Sequence, residues 1–136
     1  MLFRSSCLRV GAELPRVDIL PVYIDAPADL LDASVAAGSR GIVIEGVGRG
    51  HVPPGWLAAV ERARQQGVPV VITTVCGQGP VHQSYEFPGS VASLAALGAV
   101  SAHDLSARKA RLKLAVILSD PENGGDASIN RHFSVG

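Results

Sequence analysis

The chain has 136 residues, of which 47% are hydrophobic and 18% are charged, and these values are those of one globular domain with a modest core. Twelve basic residues balance twelve acidic ones without any concentration of positive charge, so the long-range attraction that drives nucleic-acid binding is absent. The longest apolar runs, such as Val68 to Ile72, are far shorter than the roughly 20 residues that cross a bilayer. We therefore expect a soluble domain with neither nucleic-acid nor membrane partners.

The cysteines and the first residues bear on the compartment. Cys7 and Cys76 have no metal-ligand spacing and nothing in the sequence pairs them, so we interpret them as free thiols of a cytoplasmic protein. The first residues carry Arg4 and Arg9 without an acid, as organellar transit peptides do, but they lack the apolar core of a secretory signal. Residues 1–13 are predicted to form a flexible N-terminal segment.

Short apolar runs alternate with amphipathic runs along the chain, which is the pattern of parallel strands linked by crossover helices. The first run, Val17 to Tyr23, is predicted to be a buried strand, and Pro21 within it indicates a sheet edge or an irregularity. A helix follows, and its residues are assigned in chain order: Asp25 and Pro27 at the start, Leu30, Leu31 and Val35 on the buried face, and Gly38 at the left-handed position that ends it.

The second predicted strand, Gly41 to Glu45, leads into a loop with glycines at positions 46, 48 and 50. A helix after Pro53 and Pro54 ends at Gly67. It places four apolar residues on one face: Trp56, Leu57, Val60 and Ala63. The third predicted strand is Val68 to Thr74.

A long loop follows, because residues 75–89 hold three glycines and two prolines in fifteen positions. Ser90 is a candidate cap for a short helix, and Asp104 or Ser106 is a candidate cap for the last helix. The last helix is predicted to bury four residues: Ala110, Leu114, Ile117 and Leu118. Residues 119–136 are polar and glycine-rich without periodicity, and they are predicted to be a flexible tail.

Together these elements predict a small three-layer α/β domain, with a mostly parallel sheet of three or four strands and flanking helices. Ligands on such sheets bind beyond the carboxyl ends of the strands. The loops over residues 46–51 and 76–89 both follow strands at that end, so they can line one site.

The glycine loop itself has several interpretations. Glycines at every second position let the backbone turn sharply and bring N–H groups close to a ligand or another chain. The dinucleotide fingerprint requires a glycine where this chain has His51, and the lysine and hydroxyl of a phosphate loop are absent. The remaining interpretations are a tight turn whose glycines serve geometry alone and a small-molecule site that uses the loop.

The segment "GIVIEGVGRGHVPPGWLAAVERARQQGVPVVITTVC" resembles the C-terminal domain of bacterial-type L-asparaginases, in which a strand ends in a G-x-G-x-G-N turn and the next helix leads to a "GVPVV" strand. Three further segments match in the same order: "LPRVDILPVY", "GPVHQSYEFPG" and "LGAVSAHDLSARKARLKL". The resemblance covers about Leu14 to Leu118, and we take residues 14–118 as the domain.

The resemblance implies enzymes of about twice this length, which hydrolyse L-asparagine to L-aspartate and ammonia. Their chemistry lies mainly in an N-terminal domain with a "TGGTI"-like threonine nucleophile and a second threonine beside an aspartate, backed by a lysine. This chain has neither motif, and Thr73 and Thr74 have no carboxylate or lysine beside them in sequence. We therefore predict no catalytic residue, no metal and no cofactor in this chain, and an N-terminal asparaginase domain or a second copy as its partner.

The resemblance also implies a supporting site. The asparagine of the family's turn aligns with His51, where the family uses an amide to help hold the substrate region across a subunit contact; imidazole has a different reach and a pH-dependent charge. Some members take an acidic residue from the long loop to bind the substrate's ammonium group in the neighbouring subunit, and Glu86 is the candidate here. The predicted substrate-binding or subunit-contact residues are Gly48, Arg49, Gly50, His51, Tyr85 and Glu86.

Other constellations receive ordinary structural interpretations. Cys76 with His51, His82 and His103 contains zinc-ligand types at a spacing that matches no known pattern. His82 with Cys76 or Ser84 lacks the third group that orients a nucleophile and base. The last helix carries a basic cluster that is either a solvated face or a contact for a partner carboxylate: Arg108, Lys109, Arg111 and Lys113. Two alternatives to the asparaginase assignment stay open, a non-catalytic interaction module and a small-molecule binding domain.

Overall fold

The computed structural model of the chain describes residues 13–48, 51–74, 91–122 and 125–134. Within them, four parallel strands form one sheet in the order of the chain: β1 (Val17–Pro21), β2 (Gly41–Gly46), β3 (Val70–Thr74) and β4 (Val100–Ser101). Five helices flank it: α1 (Asp29–Ala36), α2 (Trp56–Gln65), α3 (Val91–Ala96), α4 (Ala107–Ser119) and α5 (Asp126–Phe133). The predicted α/β class and parallel sheet are confirmed.

The central strand β2 is buried on both faces. Ile42 and Ile44 belong to a core shared with α1, α2 and α3, whereas Val43 between them belongs to a second core shared with α4 and α5. Successive side chains of a strand point to opposite faces, so a strand between two helical layers needs an unbroken apolar run. The run in "GIVIE" is therefore explained by the three-layer arrangement.

Helix α4 crosses the second face of the sheet and contacts β1, β2 and β3. It approaches β2 closely at Gly41, where an added Cβ would lie 2.8 Å from Leu114 Cδ2. The predicted buried stripe is confirmed at Ala110, Leu114 and Ile117, and Leu118 is partly buried. Of the two candidate caps, Ser106 is the one used, because its Oγ accepts a hydrogen bond from the backbone N–H of Lys109.

Strand β1 lies at an edge of the sheet, as Pro21 indicated. The strand ends at Pro21, whereas the sequence predicted that it ends at Tyr23. Helix α1 also starts later than its sequence suggested. Asp25 lies outside the helix in a left-handed conformation with φ of 62°, and Leu30, predicted to be buried, is 52% exposed. Leu31 is fully buried instead, because the core takes the face of Leu31 and Val35 and Leu30 is rotated about 100° away from it.

Two glycines end helices as predicted. Gly38 after α1 has φ of 100° and Gly67 after α2 has φ of 77°, both in the left-handed region that glycine adopts without steric penalty. On α2, Trp56, Val60 and Ala63 are buried, and Leu57 is partly buried against the same core.

Helix α5 corrects the prediction of an irregular tail after residue 118. Ile129 and Phe133, one turn apart, are each 2% exposed and belong to the core beneath α4. Asp126 in its first turn forms a 2.6 Å ion pair with Arg64 of α2. Two large apolar residues in an eight-residue helix give too short a period to stand out beside glycines. The flexible segment predicted at residues 1–13 falls almost entirely outside the described residues and stays a prediction.

In the part of the chain that the structure describes, no helix has both the length and the apolar character needed to span a membrane.

Candidate functional site at the carboxyl edge of the sheet

The turn after β2 is tight and closed by hydrogen bonds. The backbone N–H of Val47 donates to the oxygen of His51 at 2.7 Å, and the N–H of His51 donates to the oxygen of Val47 at 2.9 Å. Between them Gly48 has φ of 58°, a conformation that other residues adopt at a cost of roughly 1–2 kcal/mol. The turn therefore holds His51 at the carboxyl edge of β2.

His51 lines a cavity of about 270 Å3 between the loop after β1 and the loop after β2. The other principal lining residues come from both loops: Tyr23, Ile24 and Asp25 from the first, and Val47, Pro53 and Pro54 from the second. Most of this wall is apolar. Burial against it lowers the pKa of His51, because an apolar environment disfavours the imidazolium ion. The neutral ring, which can donate and accept hydrogen bonds as an amide does, is thereby favoured.

Exposed apolar side chains concentrate beside this cavity. Ile24 is 84% exposed, Tyr23 is 58% exposed and Val47 is 37% exposed, and Leu30 lies in the first turn of α1 at the same end of the sheet. These four are the majority of the large hydrophobic side chains that the described residues leave exposed, the others being Leu14 and Leu112. We call Tyr23, Ile24, Leu30 and Val47 the apolar edge. Such a concentration marks a contact surface more often than an ordinary solvated face.

The edge is also acidic. Asp25, Asp29 and Glu45 lie there, and within the described ranges none of them forms an ion pair. The ion pairs found among those residues lie elsewhere: Arg16 with Asp18, Arg62 with Asp32, and Arg64 with Asp126. The surface beside His51 therefore combines apolar side chains with carboxylates that no cation among the described residues pairs with.

A second cavity, of about 240 Å3, lies between the loop after β4, the middle of α4 and the end of α5. Its lining includes His103, which has φ of 58°, and Lys113, whose Nζ lies 4.9 Å from the centre of the Phe133 ring. Burial lowers the pKa of Lys113. The nearby hydroxyl of Thr73 donates a 2.7 Å hydrogen bond to the backbone oxygen of Leu105, which gives Thr73 a structural role.

Of the predicted contact residues, the structure describes Gly48 and His51. Arg49, Gly50, Tyr85 and Glu86 lie outside the described residues, as do Cys76, His82, Ser84 and Ser90. The convergence of His51 with the Tyr85 and Glu86 loop stays a prediction. Within residues 13–48, 51–74, 91–122 and 125–134, no three or more histidine, cysteine, aspartate or glutamate side chains are grouped so as to hold a metal ion.

Sequence reasoning missed the neighbours that His51 has in the structure, because it assigned Tyr23 to a strand and Asp25 to the start of a helix. A signal was available. Tyr23 and Ile24 follow Pro21 and precede Asp25 and Pro27, so neither fits the buried face of a regular element. Large apolar residues at such a junction indicate a contact surface.

A four-stranded parallel sheet between two helical layers, with its loops gathered at the carboxyl edge, defines this chain as a small α/β domain. The model of the glutaminase/asparaginase C-terminal domain family matches residues 16–133, and the chain belongs to that family. The match extends past residue 118 and includes helix α5.

Among the relatives, the chain is 45% identical over 123 residues to an L-asparaginase of Bacillus licheniformis, which is 90% of this chain and 38% of that protein. It is 38% identical over 104 residues to a glutamyl-tRNA(Gln) amidotransferase subunit of Aeropyrum pernix, covering 76% of this chain and 24% of the relative. The corresponding amidotransferase subunit of Methanopyrus kandleri is 39% identical over 90 residues, or 66% of this chain and 19% of the relative. The chain therefore spans well under half the length of these relatives.

Proposed function

We propose that this chain is the supporting C-terminal domain of an L-asparaginase-type amidohydrolase. The complete enzyme hydrolyses the side-chain amide of L-asparagine to L-aspartate and ammonia, and the catalytic threonines belong to a separate N-terminal domain. The family match and the 45% identity to an L-asparaginase support this assignment. The observation that carries the supporting role is the apolar edge, where Ile24 alone is 84% exposed.

Burial of the apolar edge against another domain is energetically favourable. Each square ångström of apolar surface removed from water stabilises an assembly by about 25 cal/mol, so a domain that covers Tyr23, Ile24 and Val47 gains from doing so. These residues surround the turn that holds Gly48 and His51. In our proposal the catalytic domain covers the apolar edge, and the turn, Arg49 and Gly50 included, then meets the substrate region of that domain.

Tyr85 and Glu86 complete the proposed site from the long loop after β3. Glu86 supplies a carboxylate for the ammonium group of the substrate, and His51 stands where the family has an amide. Neutral imidazole serves this purpose better than imidazolium, because it retains one acceptor nitrogen. The lowered pKa of His51 supports that role.

A role within an amidotransferase is the second candidate. The matches to the two glutamyl-tRNA(Gln) amidotransferase subunits favour it, with identities of 38% and 39%. The L-asparaginase of Bacillus licheniformis is matched at higher identity and over more of this chain, which is why the first candidate is preferred.

A chimera tests the proposal. The segment of the Bacillus licheniformis L-asparaginase that the chain matches is replaced by this chain, and ammonia release from L-asparagine and L-glutamine is measured beside the intact enzyme and the isolated chain. We expect release by the chimera and none by the isolated chain, since the sequence offers no evident nucleophile and base pair. Ammonia from the rigorously purified isolated chain contradicts the proposal, as does a folded chimera that releases none.

Two matched variants distinguish the loss of an interdomain contact from the general effect of adding a surface charge. Ile24→Lys places a charge in the apolar edge, whereas Leu112→Lys places one at a 51% exposed leucine of α4, in the opposite helical layer. We expect Ile24→Lys to lower the activity of the chimera by tenfold or more, an interface loss of about 1.4 kcal/mol, and Leu112→Lys to leave it unchanged. Equal effects of the two variants would argue against the apolar edge as the contact surface.

A further inference from the structure

The loop that carries Asp25 is held in place at three points. The N–H of Val22 donates to the oxygen of Glu45 at 2.9 Å, and the N–H of Ala26 donates to the oxygen of Tyr23 at the same distance. Trp56 Nε1 donates to the oxygen of Ala26 at 2.8 Å from the buried start of α2. The backbone of Asp25 is therefore held in a fixed turn, and the residue lines the cavity beside His51.

The left-handed backbone conformation of Asp25 is a second feature of this turn. A φ of 62° is uncommon for residues other than glycine, and aspartate and asparagine tolerate it better than most. The hydrogen bond from the N–H of Ala26 to the oxygen of Tyr23 spans the residue, and Trp56 holds the oxygen of Ala26, so the surrounding turn imposes the conformation. The charge is exposed, and no ion pair joins it to another described residue.

The cavity next to Asp25 is small and mostly apolar. Its volume of about 270 Å3 lies below the roughly 300–1,000 Å3 of pockets that bind small organic molecules. Tyr23 and Ile24 at its rim are among the most exposed hydrophobic residues of the described chain. These features fit a single side chain inserted by a partner better than a free ligand.

We propose that this cavity receives an arginine or lysine side chain from the catalytic domain, and that the cation pairs with Asp25. The inference rests on the proposed function, and it specifies which type of side chain the catalytic domain contributes to the contact with this chain. The aliphatic stem of such a side chain packs against Ile24 and the prolines while the charged head stays at the polar rim. Tyr23 offers an aromatic face to the same cation.

Charge complementarity selects this occupant over the alternatives. A neutral or acidic side chain in the cavity draws the exposed carboxylate of Asp25 partly out of water without supplying a counter-ion, which is unfavourable. Asp25 consequently contributes more to the specificity of the contact than to its affinity, because it weakens the binding of partners that lack a cation at this position. A second copy of this chain is a poorer fit, since its own edge is acidic as well.

The test compares Asp25→Asn with Glu61→Gln, each in the chimera and in the isolated chain. Asparagine tolerates the left-handed conformation at position 25, so the turn is retained. Glu61 is the control, because Glu61→Gln removes the same charge at an exposed position of α2 that does not line the cavity. Thermal unfolding midpoints and ammonia release are measured at low salt and at about 0.5 M NaCl.

We expect Asp25→Asn to lower the unfolding midpoint of the chimera by about 2 °C more than that of the isolated chain. The difference should shrink at high salt, because mobile ions screen the pair that the parent chimera forms. Glu61→Gln should change the chimera and the isolated chain alike.

Two outcomes overturn the inference while sparing the proposed function. One is an active chimera in which Asp25→Asn shifts both proteins equally, and the other is an active chimera in which Glu61→Gln reproduces the selective shift. A folded chimera without activity instead removes the proposed function, and this inference with it.

Discussion

Trp56 donates its indole N–H to the backbone oxygen of Ala26 across 2.8 Å, and this bond ties the start of α2 to the loop after β1. Trp56 is 1% exposed and Ala26 is 6% exposed, so both partners are shielded from water. The two sides of the candidate site, the β1 loop and the β2 loop with its helix, are thereby fixed to each other.

Replacing Trp56 with phenylalanine is expected to destabilise the isolated chain by about 1–3 kcal/mol, because the carbonyl of Ala26 is left buried without its donor. Urea unfolding followed by circular dichroism measures the change; fluorescence is unsuitable, since Trp56 is the one tryptophan in the sequence. Tyr23→Phe, at an exposed position, is the control and should change stability by less than about 0.5 kcal/mol. Equal effects of the two variants would show that the indole bond contributes nothing.

Gly48→Ala is expected to destabilise the chain by roughly 1–2 kcal/mol through backbone strain alone. A Cβ at Gly48 meets nothing within 4 Å, but the residue has φ of 58°. Gly55→Ala is a matched control, because that site is equally open and its φ of −62° suits any residue. Denaturant midpoints compare the two, and a Gly48 variant as stable as the Gly55 variant would contradict the left-handed turn.

His51 is expected to make the chain less stable in mild acid. Its folded pKa lies below the unfolded value of about 6.5, so between these two values the unfolded chain binds more protons. Stability therefore falls as pH drops from about 7 through the lowered pKa, and the contribution is fully present above the unfolded pKa.

Unfolding free energies at several pH values, from about 7.5 down to 5, measure this dependence. His51→Gln removes it, whereas His132→Gln on α5 should retain it. An unchanged acid sensitivity in His51→Gln would contradict the assignment to His51.

His51→Asn in the chimera is expected to raise the rate of ammonia release, because it restores the amide that the family uses at this position of the turn. His51→Gln is the control, since it carries the same amide on a longer stem. An Asn variant with unchanged or lower activity than the parent chimera would show that the family alignment does not transfer to position 51.

The isolated chain is expected to self-associate in solution, since Ile24, Tyr23 and Leu30 present more apolar surface than an unpartnered domain normally shows. Light scattering over a concentration series measures it. Ile24→Lys should shift the chain toward the monomer and Leu112→Lys should do so less. A parent chain that stays monomeric and highly soluble at high concentration speaks against an uncovered contact surface.

The regular elements could be predicted where burial alone decides them. "GIVIE" and "VPVVI" are apolar on both faces because two helical layers cover them, and Gly38 and Gly67 end helices by their left-handed conformation. Helix α5 could not be predicted, since its place depends on packing against α4 and β4, and Ile129 and Phe133 are too few to give a period.

Of the candidate site, only the turn after β2 could be predicted from the sequence. The glycines after β2 indicated a sharp connection, and His51 lies within it. Its neighbours Tyr23 and Asp25 come from far earlier in the chain, and their approach depends on the pairing of β1 with β2 and on the bond from Trp56 to Ala26. Local propensity carries no information about such a meeting of loops.

The strand order has a consequence for synthesis on the ribosome. Because β1, β2, β3 and β4 pair in the order in which they emerge, each strand finds its neighbour as soon as it is made. Helix α4, by contrast, comes late and must reach back across β3, β2 and β1. Until residue 119 has left the ribosome, Val43 and Val71 lie on a bare face of the growing sheet. The nascent chain thus exposes apolar sheet surface, which favours aggregation, until its last helices are made.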